Sequence, residues 1–117
     1  MATILNESIL TSVKKLLGPT EEDTSFDFDI IMLINGVLVR VNQLGIGPAE
    51  GFSITDKSAV WSDLIGDRKD LASIKTYIWL KTRLVWDPPQ AGYLIEAINA
   101  QITELEFTLN LQAEGGV

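Results

Sequence analysis

Apolar residues recur at spacings of three and four along most of this chain, and that rhythm predicts helices. From Thr3 to Leu17, Leu5, Ile9, Val13 and Leu16 form one stripe, widened by Leu10 and Leu17. Lys14 and Lys15 fall in the last turn, where cations suit the helix dipole, and Gly18-Pro19 ends the element. A polar link with three acids, Glu21, Glu22 and Asp23, leads to a second helix over Phe26–Leu44. Thr24 or Ser25 can cap it, with Asp27 and Asp29 at its positive end. Ile30, Ile34, Val37, Leu38, Val41 and Leu44 make its stripe, and Ile31, Leu33 and Val39 carry apolar surface round the cylinder. So much apolar surface predicts a central helix, and Gly36 within it marks a candidate close crossing.

Gly45-Ile46-Gly47-Pro48-Ala49-Glu50-Gly51-Phe52 is a loop. A short helix over Lys57–Ile65, opened by Thr55 or Asp56, closes at Gly66. Asp67 and Asp70 are spaced like a capping box for a fourth helix. Leu71, Ile74, Ile78, Lys81 and Val85 lie along one row of it, with Tyr77, Leu80 and Leu84 beside. Trp86-Asp87-Pro88-Pro89 forms a corner. The fourth helix must stop there, because a residue before proline leaves the helical region. Asp87 as cap and Pro88 in the first turn predict that a fifth helix starts at once. Its stripe is Ala91, Leu94, Ile95, Ile98, Ile102, Leu105 and Leu109, with Glu96, Asn99, Thr103 and Glu106 facing away. The expected fold is all-α: a compact bundle of four main helices plus one short helix, with the Gly/Pro-rich loop between the second and third. Residues 1–111 form one helical domain, and 112–117 a C-terminal tail.

Composition then narrows the function. Hydrophobic residues make up 46 % of the 117, enough for a core without disulfides or metal. There is no cysteine and no histidine. Thiolate nucleophiles, Cys-type zinc sites and the commonest general base near neutral pH are therefore absent. A net charge of −7 argues against wrapping nucleic acid, which needs clustered cations. No apolar run is long enough to span a bilayer, and the N-terminus lacks a signal-peptide pattern, so cytosolic synthesis is expected.

Candidate chemistry resolves into ordinary structure. The run Glu21-Glu22-Asp23 reads as a solvated loop before a helix start. Glu104 and Glu106 point in different directions on a helix, and with Glu96 they read as a solvated face. Gly45-Ile46-Gly47-Pro48 lacks the preceding strand and the following Lys-Ser/Thr of a phosphate loop. Trp79 and Trp86 read as core. Phe52, Ile54 and Trp61 read equally as core or as anchors for a partner. No catalytic residue, cofactor site or metal site is expected.

Several stretches together look familiar. They are Phe26-Asp27-Phe28-Asp29-Ile30-Ile31-Met32-Leu33-Ile34-Asn35, Gln43-Leu44-Gly45-Ile46-Gly47-Pro48, Phe52-Ser53-Ile54-Thr55-Asp56-Lys57 and Trp61-Ser62-Asp63-Leu64. Lys75-Thr76-Tyr77, Leu80-Lys81-Thr82-Arg83-Leu84, Asp87-Pro88-Pro89 and Ile102-Thr103-Glu104-Leu105-Glu106 follow in order. Over Leu10 to about Leu111 the chain resembles the small helical head–tail connector proteins of tailed bacteriophages, also called adaptor or head-completion proteins. The resemblance implies a structural protein of the virion neck, made in the bacterial cytoplasm and lacking catalytic residues. It implies a ring, usually of twelve copies, beneath the portal protein and above a stopper or tail-completion protein. DNA would pass through without specific binding. By position in related adaptors, the segment after Leu109, with Leu111 and Val117, would reach the portal. Phe52, Ile54, Trp61, Leu109, Leu111 and Val117 are thus the expected partner contacts. Two rivals come from the residues themselves: a small helical module regulating a bacterial partner, and a carboxylate metalloenzyme.

Overall fold

The computed structural model describes residues 5–20, 22–66, 68 and 71–114. Thr3, Glu21, the Asp67/Asp70 capping box and Val117 fall outside them. The fold is all-α, with α1 (Ile9–Leu17), α2 (Asp27–Gln43), the short α3 (Trp61–Ile65), α4 (Leu71–Trp86) and α5 (Gly92–Glu114). Its extents are 37 × 34 × 27 Å. No described helix is long and apolar enough to cross a membrane.

The helix starts differ from those the periodicity predicts, each because a local polar group competes. α1 begins at Ile9, not Thr3, because Ser8 caps it: Thr11 N–H donates to Ser8 Oγ at 3.2 Å. The residues before it pair with another segment. Ile9 N–H bonds Ala59 O at 3.0 Å and Trp61 N–H bonds Glu7 O at 3.2 Å, around an isolated antiparallel bridge between Ser8 and Val60. α2 has no side-chain cap from Thr24 or Ser25; Phe26 stands at that position. Lys14 is buried rather than merely near a helix end. Its Nζ donates to Asp23 O at 2.8 Å and lies 2.8 Å from Asp27 Oδ1 in the first turn of α2.

α3 starts at Trp61, later than expected, because Asp56 closes its own turn on Ser58 N–H at 2.8 Å. Asp63 then reaches back to Val60 N–H at 2.9 Å. α5 starts at Gly92, not Pro88. Pro88 precedes a second proline, and that steric restriction pushes it out of the helical region as surely as it does Asp87. The carbonyl of Ala91 instead accepts from Leu94 N–H at 3.1 Å and Ile95 N–H at 3.3 Å. At its far end α5 runs on through Glu114, past the expected stop at Leu111.

α4 is the central helix, a place the sequence pattern gave to α2. It packs against α1, α2 and α5, and Ile74, Tyr77, Ile78, Leu80 and Thr82 bury surface in several directions. α2, with its C-cap Leu44, buries all six residues of the predicted stripe but leaves a flank open. Gly36 lies on that flank, where an added Cβ would meet nothing within 4 Å, so no helix crosses closely there. Trp79 and Trp86 are half-buried against the core, and Trp86 meets Phe26 edge-on at 5.1 Å and 73°. That contact ties the α4–α5 corner to the start of α2.

The loop after α2 is held to the core by its own apolar plugs, Ile46 and Ile54. Gly47 sits at φ +89° with its Cα against α3, where a Cβ would come 3.0 Å from Leu64 Cδ1. Asn35 clamps the far side: its amide nitrogen donates to Ile54 O at 2.9 Å and its carbonyl accepts from Ile54 N–H at 2.8 Å. Asn35→Ala leaves two backbone groups of a buried residue unpaired, and is expected to cost about 2 kcal/mol in chemical denaturation. An unchanged midpoint would mean that water replaces both bonds.

Candidate functional site

The described carboxylates with resolved partners serve the fold. Asp23 accepts from Ser25 N–H at 3.0 Å, and this bond above all holds its carboxyl below the usual range. Asp56 is lowered by Ser58, first through its hydroxyl and then through its N–H. Asp63 holds the start of α3, and Asp27 faces Lys14. Among the described residues no three acids converge as a metal site would require.

Glu106 does not face away, as the α5 pattern predicts. It stands where α2, α4 and α5 meet. Its carboxylate accepts from Arg40 at 3.1 and 3.4 Å and from the Tyr77 hydroxyl at 2.5 Å, and Lys81 Nζ lies 4.0 Å away. The Arg40 hydrogen bonds, foremost, hold the Glu106 carboxyl below its ordinary range, aided by Tyr77 and Lys81 and opposed by burial. Burial, first, and the bond to Glu106 push the Tyr77 hydroxyl well up.

A carboxyl lowered in the folded state stabilises above its ordinary value of 4.5, and that contribution is lost as pH falls through the lowered one. Glu106→Gln keeps the shape and removes the charge. It is expected to melt lower than the parent at neutral pH and to lose less stability on acidification. Parallel melting curves from neutral into acid pH would show that the clasp carries no pH-dependent stability.

The expected contact residues separate into three groups. Ile54, Trp61 and Leu109 fill the core. Phe52 is half-buried against it, and Leu111 is exposed on α5. Val117 lies outside the described residues. What the periodicity missed is a set of large apolar side chains pointing outward. On α2 these are Phe28, Met32 and Val39, with Phe28 72 % exposed; the exposed Val85 of α4 lines a groove with Met32. On α5 they are Tyr93, Phe107 and Leu111, with Phe107 69 % exposed. Tyr93, Ala97, Ala100, Glu104, Phe107 and Leu111 alternate at spacings of four and three, and all are exposed. They form a second stripe opposite the buried Ile98, Ile102 and Leu109. The signal was in the sequence, hidden behind the stronger stripe of the same helix.

A largely helical chain with two outward apolar faces offers surface for contact with other proteins. A family model for phage connector proteins matches residues 9–116. The chain belongs to the phage connector protein family. No curated protein and no solved structure matches it. As a phage connector it is a structural component of the virion that associates with other head or tail proteins. The family is structural rather than enzymatic.

Proposed function

We propose that this connector is an adaptor at the head–tail junction, forming a ring of twelve copies under the portal and extending the DNA channel towards the tail. The observation that carries the reading is a pair of apolar faces on different helices, one on α2 and α4 and one on α5. A twofold dimer needs one self-complementary patch, whereas a ring needs two different patches, one on each flank. The portal above and a stopper or tail-completion protein below are the partners that fit such a ring. The half-buried Phe52 and the C-terminal end of α5 with Leu111 are the contacts proposed for them. A net charge of −7 suits a channel lining that repels phosphate and lets DNA slide.

Docking on the portal would supply a template, so the purified chain is expected to be mainly monomeric when dilute and to assemble when portal is added. Light scattering with and without portal tests this. A complex of twelve connectors per portal supports the adaptor role. Failure to associate with portal under any condition contradicts it.

A further inference from the structure

We infer that neighbouring copies join by laying the outer stripe of α5 along the groove between α2 and α4 of the next copy. This rests on the ring reading above and adds which two surfaces meet. The groove has Met32, Leu33 and Gly36 on one wall and Lys81, Thr82 and Val85 on the other, and encloses about 270 Å³. Its α2 wall is open at Gly36, where no atom stands within 4 Å of an added Cβ. The Thr82 hydroxyl, buried beside it, has no hydrogen-bond partner among the described residues.

The α5 stripe has the complementary relief. Ala97 and Ala100, its smallest residues, lie in the middle, and the large Tyr93, Phe107 and Leu111 stand at its ends. Small side chains opposite a glycine let two helix axes approach closely. Both helices rise about 1.5 Å per residue, so a register fixed at one pair carries along the whole contact. With the axes parallel and Ala100 set against Gly36, Ala97 falls at Leu33 and Glu104 at Arg40. Charge agrees with that register. Glu104 is the acid of the stripe, and no ion pair holds it among the described residues. Lys81, in the groove wall, stays 34 % exposed although it faces Glu106, and Arg40, one turn of α2 beyond Gly36, stays 44 % exposed. The Phe28–Met32 side of α2 then meets Tyr93. Stripe against stripe would leave the groove empty and Glu104 without a cation, and would close a dimer.

The absence of cysteine makes the test clean. Particles are assembled with Gly36→Cys, Ala100→Cys or both in one chain, then oxidised and run without reductant. Met32→Cys with Ala97→Cys is a second pair, using an exposed groove position in case the glycine site resists substitution. The expected result is a ladder of linked copies from either double variant and monomer from every single variant. Linkage of Ala100→Cys alone would overturn the pairing in favour of stripe on stripe. Monomer from both double variants, while an amine crosslinker still gives a ladder from the parent, would overturn the pairing and leave the ring standing. No ladder with the amine crosslinker would remove the ring itself, and the pairing with it.

Discussion

Trp61→Ala is expected to destabilise the protein by about 3–5 kcal/mol, a large part of the whole stability of a domain this size. Trp61 is fully buried at the first turn of α3. Its indole N–H donates to Ser12 Oγ at 3.1 Å, linking α3 to α1. Lys75 Nζ sits 5.9 Å from its ring centroid, linking it to α4. Its backbone N–H also holds Glu7 O in the bridge that fixes the start of α1. Truncation thus opens a cavity where three helices converge and removes a donor from Ser12 Oγ, which keeps its 2.7 Å bond to Ser8 O. Trp61→Phe fills most of the space and loses the hydrogen bond, so it is expected to cost less than half as much. Urea titration of the two variants separates volume from hydrogen bonding. Equal, small losses would mean that the core collapses around the site.

The second large effect leaves stability alone. Phe107→Asp replaces a ring that is 69 % exposed, so the unfolding midpoint is expected to stay within about 0.5 kcal/mol of the parent. Assembly is different. If α5 is one flank of the ring, a charge there loses an interface anchor worth about 2 kcal/mol, roughly thirtyfold per contact, and every subunit boundary repeats the loss. The expected result is a folded monomer that enters few or no particles. Normal incorporation would clear the outer α5 face of any role. The same test on Phe28→Asp probes the α2 flank.

These two residues also mark the boundary of what sequence could reveal. The six-residue stripe of α2 and the Ile98, Ile102 and Leu109 face of α5 were legible because burial repeats with the helical period. Phe107 was not, because one helix carried two apolar stripes and the stronger determined the reading. Trp61 and Ile54 stayed ambiguous because an aromatic or branched residue beside a loop serves a core or a partner with the same chemistry. The choice depended on where the loop over 44–60 folds back, and Asn35 decides that through a contact nineteen positions away. Glu106 was placed in solvent by periodicity, yet Arg40 and Tyr77 from two other helices claim it. The start of α5 was misjudged because the second proline at Pro89 outweighed a good cap at Asp87.

Copies of this chain are proposed to meet side by side through two different faces around a channel. Averaged electron micrographs of the particle neck, with the chain located by a fused tag, address it directly. A closed ring with one tag per subunit and a rotational axis along the DNA is expected. Tags appearing singly, or as isolated twofold pairs, would contradict it.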